Sequence, residues 1–158
     1  MMIDTTAALG GGLLVAKDSA ELGDHANGVL HEGCSGNNET ITMLRDLTAR
    51  ATAMGTQFNY NCHSKPGVPN STLAAFLIGA GKGHYIGIGG WNDPTYNKLD
   101  THWQPEFDLP LGDPASEGEY SPATATWTRR FQSAHVTFNA KTNVGAIQWG
   151  SASPGLNR

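Results

Sequence analysis

The stretch that most constrains this chain is Leu73 to Trp91, LAAFLIGAGKGHYIGIGGW. Leu73 to Ile78 is apolar without a break and fits a short buried helix. Gly79, Gly81 and Gly83 then end that helix, because glycine accepts the left-handed turn that closes a helix C-terminus. His84 to Trp91 reads as a strand with Tyr85, Ile86 and Ile88 buried, and Trp91 and Asn92 stand where it empties into a loop. A helix feeding a strand whose carboxyl end carries an aromatic and an amide is a unit of an α/β protein with its site at the strand ends.

The same order recurs upstream. Gly12 to Ala16 (GLLVA) reads as a strand buried on both faces, and Asn27 to Glu32 as a second strand. Asn37 or Asn38 caps a helix whose inward stripe is Ile41, Leu44, Leu47, Ala51 and Met54, with Gly55 ending it. Thr56 to Cys62 is the third strand, and Asn70 caps the helix of the central stretch. Right-handed crossovers make such strands parallel. The expected fold is therefore α/β, a half (β/α)8 barrel of about four parallel strands over residues 12–91. A whole barrel needs roughly 250 residues, more than the 158 here, which fit one domain. Residues 92–123, with four prolines between Asn92 and Ser121, read as a long loop. Residues 124–149 change character: WTRRF, HVTF and GAIQW alternate as an antiparallel hairpin or meander would.

Composition narrows function by exclusion. A net charge of −4 with dispersed signs argues against a nucleic-acid surface, and no apolar run approaches the ~20 residues of a membrane helix. The opening MMIDTTAALGGGLLVA lacks the basic start of a signal peptide, which leaves the compartment open. Six scattered histidines give no metal motif, and no cofactor is expected. Gly79-Ala-Gly81-Lys-Gly83 follows a helix and precedes a strand, the reverse of a phosphate-binding loop. Cys34 and Cys62 end consecutive strands, where they are either bridged or two buried thiols.

Strand ends collect Asp18, Glu32, His63 and Trp91–Asn92, with Asn61 beside His63. A carboxylate at a strand end against apolar neighbours can have a raised pKa and act as a general acid, which makes Glu32 the leading catalytic candidate. It can equally be a structural carboxylate bound to loop amides. Asp18 is the second carboxylate, with helix capping or pairing to Lys17 as its alternative. Trp91, Trp103 and Tyr96 can stack on a sugar ring or pack in the core. Glu106 and Asp108 in PEFDLP can bind hydroxyls or remain solvated.

The segments FLIGAGKGHYIGIGGWN, HWQPEFDLPLGDP and WTRRFQSAHVTFNAKTNVGAIQW resemble the C-terminal part of TIM-barrel glycosidases of the hypothetical glycosyl hydrolase family 15 type. The resemblance covers residues 73–149 best and 12–63 loosely. It implies that the chain corresponds to barrel strands five to eight, with a carbohydrate as partner. Glycoside hydrolysis needs two carboxylates, about 5 Å apart for retention or about 6.5–9.5 Å for inversion. Glu32 is then the candidate acid and Asp18, on the adjacent strand, a possible second carboxylate, with His63, Asn61, Trp91, Asn92, Trp103 and Glu106 as substrate-binding candidates. Barrels that pair an acid on strand six with a nucleophile on strand four fit Glu32 and put that nucleophile upstream of Met1. The alternative is a non-catalytic carbohydrate-binding half-barrel, completed by self-association or by a missing N-terminal half.

Overall fold

The computed structural model describes residues 15–17, 28–33, 36–49, 56–60, 70–81, 84–88 and 105–150, with side chains over 36–49, 70–81, 84–86 and 105–150. The elements run β1 (Val15–Lys17), β2 (Gly28–Gly33), α1 (Asn38–Ala49), β3 (Thr56–Tyr60), α2 (Asn70–Gly79) and β4 (Tyr85–Ile88). A 3-10 turn (Pro105–Asp108) follows, then β5 (Glu119–Ser121), β6 (Thr126–Arg130), β7 (Ala134–Asn139) and β8 (Val144–Trp149).

Helix α1 starts where its cap can be satisfied. Asn37 Oδ1 accepts the Thr40 N–H at 2.9 Å, occupying one of the orphan donors of the first turn. Ile41, Leu44 and Leu47 form its buried stripe, while Ala51, Met54 and Gly55 lie outside the described residues. Helix α2 is different in kind. It is buried at every position from Thr72 to Gly79, so it has no polar face to offer to water. Such a helix must be covered on more than one side. Gly79 lets α1 come close, since a Cβ there would lie 2.9 Å from the Ile41 carbonyl oxygen. On another side α2 packs against β6, β7 and β8. A Cβ at Gly145 of β8 would lie 2.6 Å from the Ala74 Cβ, so only glycine allows this approach.

The sheet under α2 has the order β5-β6-β7-β8, and every pair in it is antiparallel. Period-two alternation gives it two unlike faces. Trp127, Arg129, Ala134, Val136 and Phe138 are buried, and most of them join Ile41, Leu44 and residues of α2 in one cluster. Thr126, Thr128, Arg130, His135, Thr137 and Gln148 alternate with that buried set. β8 is an edge strand, and its Gly145 N–H is taken by Ser71 Oγ of α2 at 3.0 Å.

A half (β/α)8 barrel with an appended hairpin is therefore not the fold. The body of the described structure is a four-stranded, wholly antiparallel sheet with two helices, α1 and α2. In a barrel, the helices ring the parallel strands that they connect. Here the two helices pack on each other, and the sheet that α2 packs on is the antiparallel one. The physical cause is the missing polar face of α2, which a place on the outside of a barrel would leave against water. Strands β1 to β4 form a second, separate sheet, paired parallel in sequence order.

Two smaller expectations also change. Tyr85, read as buried, is 66% exposed, because neighbouring residues of a strand face opposite ways and Ile86 takes the side packed on the core. The segment Glu119–Ser121 pairs with β6 as a strand, although it falls inside the stretch 92–123 read as loop.

Candidate functional site

Of the candidate site residues singled out from the sequence, the structure describes three: Glu32, and Glu106 and Asp108 of the 3-10 turn. Glu32 is the penultimate residue of β2, in register with Asn59 of β3, and Gly33 is in register with Tyr60. Glu32 and Asn59 therefore stand at the same level of adjacent strands. Glu106 lies in the 3-10 turn, half-buried, where its main-chain carbonyl accepts the Leu109 N–H at 3.3 Å. Glu32 and Glu106 sit on separate elements. Asp18, Asn61, His63, Trp91, Asn92 and Trp103 lie outside the described residues, as do Cys34 and Cys62. Among the described residues no group of three His, Cys, Asp or Glu side chains is placed to hold a metal. No described helix is long and apolar enough to cross a membrane.

A concave site appears elsewhere, at the end of the antiparallel sheet. An open groove of about 390 Å³ is lined by Arg130, Gln132, His135, Gln148 and Trp149, with Phe131, Ser133, Ala134 and Gly150 completing it. Sheet pairing brings the polar members together: Arg130 is opposite His135, and His135 is opposite Gln148. Its backbone is tightly tied. Phe131 N–H donates to the Ala134 carbonyl at 2.8 Å, Ser133 N–H to that of Leu111 at 3.1 Å, and Gly150 N–H to that of Ser133 at 2.8 Å. Gln132 Oε1 accepts the Asp113 N–H at 3.3 Å.

The sequence reading missed this groove. Its signal lay in the alternation of WTRRF, HVTF and GAIQW, which sends Arg130, His135 and Gln148 to one side of three strands. What alternation alone could not supply was the register that aligns them.

The buried side of the same strands is held by cations that are already engaged. Arg129, 4% exposed, donates to the carbonyls of Leu77 at 2.9 Å and Ile78 at 3.3 Å, and also to that of Ala80. Those are the last carbonyls of α2 and the residue after it, so β6 caps the helix with a positive charge where the helix dipole favours one. Its Nε donates to the Ser116 carbonyl at 3.1 Å. Burial pushes the Arg129 guanidinium below its ordinary value, Glu117 raises it and Arg45 lowers it. Arg45 donates to the Gly118 carbonyl and lies 5.1 Å from the centre of the Trp127 ring, whose Nε1–H donates to Asn38 Oδ1 at 2.8 Å. His84 faces α1 through Nε2, 3.3 Å from Thr48 Oγ1, while its buried Nδ1 has no hydrogen-bond partner among the described residues.

Fold and groove together define a mixed helix-and-sheet domain with an open, polar-lined groove at the end of its antiparallel sheet. The particular family follows from comparison. The chain belongs to the hypothetical glycosyl hydrolase family 15, whose family model matches residues 13–135, most of the length. That span takes in the β1–β4 ladder, both helices and the antiparallel sheet as far as the start of β7. No curated protein matches the chain. Membership makes the protein glycosyl-hydrolase-like.

Proposed function

We propose that this chain is a carbohydrate-active protein whose Glu32 serves as general acid in cleaving a glycosidic bond. The single observation that carries the reading is the family match over residues 13–135. Supporting it, Glu32 lies one residue from the end of its strand, in register with Asn59 of the next. Asp18, in the connection after β1, is the proposed second carboxylate, since hydrolysis requires a pair. His63, Asn61, Trp91, Asn92, Trp103 and Glu106 are proposed to hold the saccharide. The test is release of reducing sugar or aryl aglycone from a panel of aryl glycosides and polysaccharides by wild type and Glu32→Gln. A general acid contributes on the order of 10²–10⁴ in rate, so the variant is expected to lose at least a hundredfold. Hydrolysis unchanged in the variant removes Glu32 from the chemistry.

A second reading, binding without hydrolysis, is favoured by one observation: among the described residues no carboxylate lines the groove of the antiparallel sheet. Wild type that binds members of the panel and cleaves none of them decides for it.

A further inference from the structure

We propose that the groove at the end of the antiparallel sheet is a subsite for an acidic sugar, with Arg130 and His135 receiving a uronate carboxylate and Gln148 a ring hydroxyl. This rests on the carbohydrate reading above and names the substrate class for one part of the surface. Consecutive arginines in β6 have opposite fates. Arg129 points inward and spends its donors on backbone carbonyls. Arg130 is exposed, and its guanidinium has no ion pair among the described residues. The chain carries a net charge of −4, yet among the described residues the only permanent charge lining this groove is that cation. A free, planar guanidinium matches a carboxylate through two parallel hydrogen bonds, which gives orientation as well as attraction.

The neighbours fit the rest of a sugar. Gln148 offers both a donor and an acceptor, the pairing that a ring hydroxyl uses. Arg130, His135 and Gln148 stand on three successive strands, so their row spans roughly 10 Å at about 4.8 Å per strand, the reach of two linked rings. The volume of about 390 Å³ falls at the lower end of the roughly 300–1,000 Å³ of small-molecule sites. The pinned backbone of Phe131–Ser133 presents these groups without a loop having to be ordered first.

The experiment is calorimetric titration of the whole chain with tetragalacturonate and tetramannuronate, each also as its methyl ester, which removes the charge and keeps the ring. The expected result is binding of at least one acid, about tenfold or more tighter than its ester. Arg130→Gln, a change at an exposed position, is expected to bring acid and ester to within about threefold, and Gln148→Ala to weaken both. Equal affinity for acid and ester, or discrimination that survives Arg130→Gln, overturns the subsite. Neither acid binding while neutral saccharides bind overturns the subsite alone. No saccharide binding of any kind overturns the subsite and the carbohydrate reading together.

Discussion

Replacing Arg129 by methionine keeps the length and apolar stem of the side chain and removes only the donors. The guanidinium reaches the carbonyls of Leu77, Ile78, Ala80 and Ser116, so the variant leaves the C-terminal end of α2 without its cap, in a place closed to water. A hydrogen bond to a charged group contributes about 1.5–3 kcal/mol, but these share one cation and its burial cost, so they do not sum. Counting the Leu77 and Ser116 bonds, at 2.9 and 3.1 Å, as the effective ones gives a loss of about 3 kcal/mol. For 158 residues that is a fall in Tm of roughly 6–12 °C. Urea denaturation followed by tryptophan fluorescence and by far-UV circular dichroism measures it, since Trp127 is buried beside the site. Arg130→Met is the control, one residue along and outward, expected to change stability by less than about 0.5 kcal/mol. A loss below about 1 kcal/mol at Arg129, or equal losses at both arginines, refutes the reasoning that β6 caps α2.

Gly145→Val sets side-chain atoms where Ala74 Cβ already stands 2.6 Å from a single Cβ, so a loss of about 1–3 kcal/mol is expected by chemical denaturation. Asn37→Ala removes the acceptor of the Thr40 N–H and is expected to cost about 1 kcal/mol, read in the same assay. Burial holds His84 below its ordinary value of 6.5, so the unfolded chain takes up the proton first as pH falls. Wild-type stability is therefore expected to be full above pH 6.5 and to decline below it, and His84→Asn to flatten that part of the stability–pH curve.

Local structure was readable where a residue pattern has one physical meaning. Asn37 before Ile41, Leu44 and Leu47 could only be the start of an amphipathic helix, and the alternation in HVTF and GAIQW only strands. Leu73–Ile78 announced a buried helix but not its cover. An amphipathic helix points to its partner through its apolar face; one that is apolar all round points nowhere. From sequence alone α2 therefore goes with the strands next to it in the chain, and that order implies a barrel. The pair Arg129–Arg130 carried a clue of the opposite kind: in a strand one of two adjacent arginines must turn inward, and a buried arginine needs acceptors. Only the structure shows that those acceptors are the end of α2. For the site, Glu32 at a strand end was legible, whereas the groove depended on register between β6, β7 and β8.

The packing of α2 on the antiparallel sheet is the claim from which the corrected fold and the groove's rigid floor both follow. Nuclear Overhauser contacts of the Gly145 amide test it most directly. The account predicts cross-peaks from that amide to Ser71 and to the Ala74 methyl, since Gly145 N–H lies 3.0 Å from Ser71 Oγ. Cross-peaks from Ala74 to β2 and β3 instead, with none to Gly145, would contradict it.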